Sequence, residues 1–253
     1  MDVLIVGAGA MGRWFGATID ADVAYADVDR DAATAAADHT GGRVAGMEGG
    51  PDDHDVVCLA VPMQSVVPAI QAQADRARAG LVDLSGVMAA PLEAMAAAAP
   101  TLEHLSIHPL FAPDRAPGSV PYVEAAGGTH TTAILQALEQ AGNELVETTA
   151  AEHDRAMETV QAASHAAILA FSLAAEDVPD GLETPVYDDL RSLARRVTGG
   201  TSRVYADIQG TYAGAATVAS EADRIAGAET AEEFEALYRE ATAHWHASRG
   251  GEE

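Results

Sequence analysis

The first residues whose types and spacing indicate chemistry lie near the N-terminus, where GAGAMG at 7–12 directly follows the apolar run DVLIV. In this pattern Gly7 allows a tight turn, Gly9 lets a pyrophosphate approach the backbone, and Gly12 lets a helix pack closely on the preceding strand. The helix N-terminus then offers unpaired N–H groups and the positive end of its dipole to phosphates. The spacing therefore predicts that this turn binds a dinucleotide.

A carboxylate follows at the separation that a dinucleotide site requires. Asp27 ends the second strand-like segment, about 20 residues beyond the first glycine, where a carboxylate binds the ribose hydroxyls of the adenosine half. It favours NAD because it would repel the additional phosphate of NADP, although the nearby Arg30 leaves NADP open. Val61 and Pro62 end a later strand-like run, and they either border the cofactor or only terminate that strand. The expected cofactor-binding residues are Gly7, Gly9, Ala10, Met11, Gly12, Asp27, Val61 and Pro62.

His108 is the candidate for proton transfer. It follows the strand-like run HLSI at 104–107, and open α/β sheets bind their ligands at the carboxyl ends of strands. An enzyme that removes hydride from a carbon bearing a hydroxyl needs a base for the hydroxyl proton, and histidine is the most frequent one. His104 lies four residues earlier, but a strand does not make the two a helical metal pair. No cluster rich in carboxylates or cysteines predicts a metal site.

A second polar set lies in the long helical pattern AEHDRAMETVQAASHAAILAFSLAAE. Gln161 and His165 are four residues apart, on the face of the expected helix that also carries Asp154 and Glu158. Two interpretations stay open, because such a stripe either faces solvent or forms the polar wall of an active-site cleft.

The elements that must position these residues alternate between strand and helix through about residue 150. This rhythm predicts an α/β fold in which 1–150 forms a Rossmann-type doubly wound sheet. After that the strand signals stop, and 151–253 is expected to be an all-helical dimerisation and substrate domain. The expected strands are 2–6, 23–27, 55–61, 80–84, 104–107, 120–125 and 144–149, and the later helices are one of about 25 residues from 151, then 183–198, 202–226 and 230–248.

The charge of the chain limits its partners. It has 39 acidic and 14 basic residues, all of the latter arginine, and a formal net charge of −25. Such a surface repels nucleic acid and anionic membranes at ordinary salt, and no apolar run reaches the ~20 residues that span a bilayer. Because the acids are spread along the whole chain, we interpret the charge as adaptation to a high-salt cytoplasm. The single cysteine, Cys58, is expected to be a buried strand residue, and it fits a reducing compartment.

Several stretches resemble the prephenate dehydrogenases, in an archaeal-type form with a halophile-like composition. GAGAMGRWF opens the chain as that family does. LVDLSGVMAAPLEAM at 81–95 is similar to the family's DxxSVK segment, and HLSIHPLFAPD at 104–114 to its HPM(F)GPD segment. EHDRAMETVQAASHAAI at 152–168 resembles the helix that begins the family's dimerisation domain, and RRVTGGTSRVYADI at 195–208 is a weaker match.

The resemblance implies an activity and a role for each candidate residue. The expected reaction is the oxidative decarboxylation of prephenate to 4-hydroxyphenylpyruvate with a nicotinamide cofactor, with His108 as the catalytic base. Arg196, nine residues before Tyr205, would bind a substrate carboxylate, or it is simply a surface arginine. The implied partners are a small-molecule substrate and a second copy of the chain in a homodimer. The expected substrate-binding residues are Arg196, His165, Gln161, Ser85 and Tyr205.

Two positions depart from the family pattern. Gly86 and Met88 stand where the family has serine and lysine, and only the adjacent Ser85 offers a hydroxyl nearby. The serine normally touches the substrate hydroxyl or the base, so the substrate stays open. The alternatives are arogenate, a different substrate such as a short 3-hydroxyacid or an imine, and a regulator that senses NAD without turnover.

The net charge predicts that the fold requires concentrated salt. Like charges repel one another in the compact state, and molar salt shortens the Debye length to ~3 Å, which screens that repulsion. We therefore expect the thermal midpoint of unfolding to rise between dilute buffer and molar potassium chloride. A midpoint that stays constant or falls over this range, measured by circular dichroism, would contradict the interpretation.

Overall fold

The chain folds into two compact units, Met1–Met157 and Glu158–Glu253. The computed structural model describes residues 1–51 and 53–247. The sequence-based boundary at residue 150 falls at the start of a helix, whereas the first unit extends through Met157. The reason is packing, because His153 and Met157 are buried in the first unit rather than exposed on the second.

The first unit is built on one eight-stranded sheet. Its strand order is β3-β2-β1-β4-β5-β6-β7-β8, and its pairs are parallel except that β7 runs antiparallel to β6. The chain therefore winds in both directions from β1, as a doubly wound sheet requires. The strands are β1 (Asp2–Val6), β2 (Asp22–Ala26), β3 (Arg43–Val44), β4 (His54–Leu59), β5 (Ala77–Asp83), β6 (Glu103–Ile107), β7 (Ser119–Ala126) and β8 (Glu144–Glu147).

Helices cover both faces of this sheet, and alternate residues of each strand pack against opposite layers. Ile5 packs with Phe15 and Ile134 on one face, while Leu4 packs with Ile70 and Met95 on the other. All six side chains are fully buried. The helices are α1 (Ala10–Thr18), α2 (Arg30–Thr40), α3 (Met63–Gln73), α4 (Ala89–Ala98), α5 (Thr129–Gln140) and α6 (Ala150–Met157), with single 3-10 turns at Ala74–Arg76 and Pro113–Arg115.

The second unit is helical throughout its described part. It begins with a π-helix at Glu158–Ala163 and continues with α7 (Ser164–Ala174), α8 (Pro185–Thr198), α9 (Ser202–Thr211), α10 (Gly214–Ala226) and α11 (Ala231–Ala247). Its buried apolar side chains are few, and Val197, Ile208 and Tyr212 are the largest of them. None of the helices within 1–51 and 53–247 has the length and apolarity to span a bilayer.

The structure corrects three sequence-based expectations. The single long helix expected from 151 is interrupted by the π-helix at Glu158–Ala163 and ends at Ala174. The helix expected over 202–226 is two helices, because the chain turns after Tyr212 and brings Gly214 against the backbone of the π-helix. The two-residue strand β3 was not expected, since so short and exposed a segment carries no periodic signal. The other seven strands lie close to their expected positions.

Candidate active site

The glycine turn adopts the conformation that the sequence predicts. Gly7 has φ +102°, and a Cβ there would collide with the carbonyl of Ala60, so both the backbone and the space require glycine. A Cβ on Gly12 would collide with the Gly7 carbonyl, which explains the close approach of α1 to β1. A Cβ on Gly9 would meet nothing within 4 Å. The N-terminus of α1, with Ala10 exposed, therefore opens onto free space that a phosphate group fits.

Asp27 is held at the edge of this opening. Its Oδ2 atom accepts a hydrogen bond of 2.7 Å from the backbone N–H of Ala8, and its Oδ1 atom accepts one of 2.9 Å from Asp29. The carboxylate is thus fixed directly after β2 and beside the glycine turn, where ribose hydroxyls would meet it.

Val61 and Pro62 follow β4, the strand on the other side of β1. The backbone N–H of Ala60 donates to the carbonyl of Val6 over 2.8 Å, which aligns the ends of β1 and β4. Connections leave these two neighbouring strands toward opposite sides of the sheet, and doubly wound sheets bind ligands at such a point. Pro62 is exposed and begins α3, so the expected cofactor residues lie together at one edge of the sheet.

His108 lies at the same edge, directly after β6. Its backbone N–H donates to the carbonyl of Pro121 on β7 over 2.9 Å, and the residue is only 8% exposed. Its Nδ1 atom lies 2.9 Å from Nε2 of His153, and the Nδ1 atom of His153 lies 2.8 Å from Oδ1 of Asp154. A buried chain of two imidazoles and a carboxylate therefore begins at His108.

The carboxylate at the end of this chain is anchored by the start of α4. Oδ1 of Asp154 accepts a hydrogen bond of 2.9 Å from the backbone N–H of Met88, and Oδ2 accepts one of 3.1 Å from that of Ala89. Burial alone would raise the pKa of Asp154, but the bonds from His153 and from these two amides hold it below its ordinary value. Asp154 is therefore ionised at neutral pH and can only accept hydrogen bonds.

His108 is uncharged at neutral pH. Burial and, to a smaller extent, the neighbouring His153 lower its pKa to about 3, while the negative charge of Asp154 acts in the opposite direction. A neutral imidazole has one nitrogen that donates and one that accepts. His108 can thus receive a proton from a substrate without first losing one to solvent.

Gly86 lies next to the other ring nitrogen of His108. A Cβ at position 86 would stand 3.4 Å from Nε2 of His108 and 3.0 Å from Sδ of Met63. Any side chain at 86 would therefore contact the catalytic candidate. The sequence marked this position as a departure from the family pattern, and the structure shows that the departure lies beside His108.

A buried carboxyl group supports the loop that carries Gly86. Asp83 is fully buried at the end of β5, and it accepts hydrogen bonds of 3.0 Å from the hydroxyls of Ser85 and Ser106 and from the backbone N–H of Ser85. The Ser85 hydroxyl also lies 3.0 Å from the carbonyl of Val87. Burial raises the pKa of Asp83 to about 7 even though these bonds act to lower it. Ser85 is only 4% exposed, and this arrangement gives no support to the expected substrate contact.

The remaining candidates lie in the second unit. His165 contacts Tyr205 edge to face, with ring centroids 4.9 Å apart, and Tyr205 lines a cavity of about 400 Å³ with Gln209. Burial lowers the pKa of His165, and its Nδ1 atom is buried without a hydrogen-bond partner among residues 1–51 and 53–247. Gln161 lies in the π-helix, and Arg196 is exposed in the last turn of α8.

Two residues that contact or support His108 were not selected as functional candidates from the sequence. His153 was not selected, and Asp154 was assigned only to a polar stripe, because 45 residues separate His108 from His153 and no spacing rule connects them. Cys58 is buried as expected, and burial raises the pKa of its thiol.

Among the described residues, no group of three or more histidine, cysteine or carboxylate side chains could hold a metal ion.

One named relative covers most of the chain. No family model matches the sequence. The chain is, however, 32% identical over 233 residues to 4-amino-4-deoxyprephenate dehydrogenase from Streptomyces pristinaespiralis. The matched region covers 84% of this chain and 78% of the relative.

Two solved structures have the same fold as this chain. Prephenate dehydrogenase from A. aeolicus, in complex with hydroxyphenyl propionate and NAD+, matches with a TM-score of 0.70 at 14% identity and covers 98% of both chains. Arogenate dehydrogenase from Synechocystis matches with a TM-score of 0.64 at 15% identity and covers 98% of this chain and 100% of that one. The Rossmann-type fold expected from the sequence is therefore confirmed.

Replacing Asp83 by Asn should stabilise the protein relative to wild type increasingly as pH rises from about 4 to 7. The folded-state pKa of about 7 lies above that of an unfolded aspartate, about 4, so the folded protein keeps a proton that the unfolded chain releases. The contribution of this group is therefore complete below pH 4 and is lost as pH rises through 7. The difference in unfolding free energy should grow by up to about 1.4 kcal/mol per pH unit.

Denaturant unfolding at constant high salt measures this difference. Asp20→Asn removes an exposed carboxylate and is the matched control. If the Asp83→Asn and wild-type curves run parallel from pH 4 to 7, the raised pKa is wrong.

Proposed function

Because this chain belongs to the prephenate and arogenate dehydrogenase family, we propose that it oxidatively decarboxylates a prephenate-type substrate with NAD. One observation carries this proposal: His108, buried and uncharged, lies at the same sheet edge as a glycine turn shaped for a dinucleotide. The edge thus combines a base for a substrate proton with a place for a hydride acceptor.

The residues at the edge of the sheet fit NAD. The open space before Gly9 would take the pyrophosphate, and Asp27 would bind the adenosine ribose, which disfavours the extra phosphate of NADP. Val61 and Pro62 would border the nicotinamide half. When bound, NAD supplies the acceptor for the hydride that leaves the substrate.

His108 would begin the reaction by accepting the proton of the C4 hydroxyl as C4 loses its hydride. The C4–O bond becomes a carbonyl, and the bond between the ring and its carboxylate breaks to release carbon dioxide. The electrons of that bond make the ring aromatic, and the product oxygen takes a proton back. Aromatisation makes the step strongly favourable, and the base is needed only while the hydroxyl proton is in transit.

Further residues are candidates for binding the substrate. A guanidinium binds a carboxylate through two parallel hydrogen bonds, and Arg196 is exposed and therefore available for this. His165 offers a buried Nδ1 atom without a partner in the described chain, next to Tyr205. We propose that these residues and Gln161 bind the substrate.

Prephenate is the first candidate substrate, and a specific observation favours a second. The relative from Streptomyces pristinaespiralis is named for a substrate in which an amino group replaces the C4 hydroxyl. At Gly86 no side-chain hydroxyl stands beside Nε2 of His108. A site built to bond a hydroxyl rejects analogues that lack it, and a site without that bond loses this discrimination. We therefore include 4-amino-4-deoxyprephenate, along with arogenate, as a substrate to be tested.

The second unit also supports a homodimer. Phe234, Tyr238 and Trp245 lie four and seven residues apart on α11, a spacing that places them on one stripe of the helix, and they are 51%, 68% and 69% exposed. Few apolar side chains are buried in the described part of this unit, so a second copy would cover a face that one chain leaves in water. We also propose that the protein works in a high-salt cytoplasm, which its net charge of −25 supports.

Purified protein in molar salt should reduce NAD in the presence of one of the three substrates, followed by the absorbance of reduced nicotinamide. The ratio of specificity constants ranks prephenate, arogenate and 4-amino-4-deoxyprephenate, and NADP should be used less well than NAD. His108→Asn should lower kcat by ~10² to 10⁴-fold, the usual contribution of a positioned base, while NAD still binds.

His104→Asn is the matched control, since His104 is buried on the same strand but bonds the carbonyl of Ala99. It should retain turnover. NAD binding without turnover of any of the three substrates would refute the proposed activity and favour a sensing role. Near-normal turnover by His108→Asn would remove the base assignment.

The wild-type protein should be a dimer by light scattering in molar salt. Tyr238→Glu places a charge in the centre of the exposed α11 stripe and should shift the protein toward monomer. Val146→Glu adds a charge at an exposed apolar residue of the first unit, 39% exposed, and should leave the dimer intact. A monomeric wild type would exclude the dimer.

A further inference from the structure

We propose that Met63 and Gly86 together determine which group the site accepts at C4 of the substrate. The thioether of Met63 partly occupies the space that a side chain at position 86 would take, and neither residue offers a side-chain hydrogen-bond donor. Compared with a site that carries serine at 86, this pair favours an amino group over a hydroxyl. The inference rests on the proposed function for the identity of the substrate, and it adds Met63 as a residue that determines specificity.

Three neighbouring strands bring this pair and the base to one place. Strands β4, β5 and β6 are adjacent and run parallel, so their carboxyl ends lie at the same edge of the sheet. Met63 is the first residue of the helix that follows β4, Gly86 lies in the loop after β5, and His108 directly follows β6. The topology of the sheet therefore places the three residues beside one another.

Met63 and a side chain at position 86 would compete for the same space. A Cβ atom at 86 would stand 3.0 Å from Sδ of Met63, which is closer than the ~3.5 to 4.0 Å of an ordinary contact. It would stand 3.4 Å from Nε2 of His108. Met63 is the neighbour that can move, because its side chain is unbranched and only half-buried, whereas His108 is buried. A side chain at 86 would thus act first on the thioether, and substitutions at 63 and 86 should not be independent.

The loop that carries Gly86 is fixed on both sides. Before it, the backbone N–H of Ser85 donates to the fully buried carboxyl group of Asp83 over 3.0 Å. After it, the backbone N–H of Met88 donates to Asp154 over 2.9 Å. Because the backbone is held at these two points, an added side chain at 86 must be accommodated by movement of the neighbouring side chains.

The hydrogen-bonding properties of the pair distinguish a hydroxyl from an amine. Glycine has no side chain that donates, and a thioether sulfur is only a weak acceptor. A serine at 86 would add one donor beside Nε2 of His108, where the C4 group reacts. A buried acceptor that is left without a donor is destabilised, so the absence of this hydroxyl costs more for a C4 group that needs a donor.

The reaction itself makes an oxygen need that donor and a nitrogen reject it. The hydroxyl oxygen has two lone pairs, and it still has two after it becomes a carbonyl, so a donor can bond it throughout the step. The amine reacts in its unprotonated form. Its single lone pair becomes the second C4–N bond as C4 loses hydride to NAD, and the bond to the ring carboxylate then breaks to release carbon dioxide. The electrons of that bond return through the ring and give a neutral aromatic amine that keeps both nitrogen hydrogens. A donor bonded to the amine lone pair would oppose this step.

The ratio of the specificity constants for prephenate and 4-amino-4-deoxyprephenate measures the effect of the pair. Gly86→Ser should raise this ratio by ~10-fold, about the contribution of one hydrogen bond. Met63→Ala alone adds no donor and should leave the ratio within ~3-fold of wild type. The double variant should raise it by ~10²-fold, which exceeds the product of the single effects, because removal of the thioether gives the new hydroxyl room to reach the substrate.

Two controls separate the hydroxyl from crowding. Gly86→Ala adds the Cβ atom without a donor, so it should lower both specificity constants and leave their ratio within ~3-fold of wild type. Met47→Ala removes another half-buried methionine side chain of the first unit, one that packs in the apolar layer with Ile70, and it should not change the ratio. Equal ratios in Gly86→Ala and Gly86→Ser would overturn the proposal, and so would a double variant whose ratio is the product of the single effects.

Binding measurements distinguish a failure of this inference from a failure of the proposed function. If none of the substrates is turned over, the proposed function fails. Calorimetry with NAD present then compares the dissociation constants of 4-hydroxyphenylpyruvate and its 4-amino analogue in the same variants. The affinity for the hydroxyl compound relative to the amine should rise in Gly86→Ser and more strongly in the double variant. An unchanged relative affinity, or no binding of either compound, would overturn the role of the pair.

Discussion

The carboxylate of Asp154 is the interaction on which the rest of the site depends. It joins two parts of the first unit, because it accepts from His153 on its own helix and from the amides of Met88 and Ala89 at the start of α4. The charge is stable there because three donors replace the water that burial removes. Loss of that charge would disturb the α4 junction and the histidine chain at the same time.

The chain is acidic and contains no lysine, and the group that contacts Nδ1 of His108 is an imidazole. Where the family has a lysine, Met88 is fully buried and contributes through its backbone N–H. Near His108 the electrostatics therefore come from a carboxylate, imidazoles and peptide dipoles. A backbone N–H is present whatever side chain the residue carries. The bond from position 88 to Asp154 therefore does not require a lysine at that position.

Sequence reasoning predicted the positions of residues that follow a local pattern, and it missed a contact between residues far apart in the chain. GAGAMG, Asp27 and His108 each follow a strand, and the strand-turn-helix pattern places such residues at one sheet edge. The contact of His108 with His153 could not be predicted, because no periodicity relates residues 45 positions apart. The π-helix at Glu158–Ala163 was also not predicted from the sequence. Its period differs too little from that of an α-helix to be visible in the residue pattern of so short a segment.

The glycine at position 86 bears on how the site can change during evolution. Glycine and serine codons of one class differ by a single base, and the residue at 86 has its Cβ position 3.4 Å from the nitrogen of His108 that faces it. One point mutation can therefore add or remove a hydroxyl beside the catalytic candidate without moving a strand or helix.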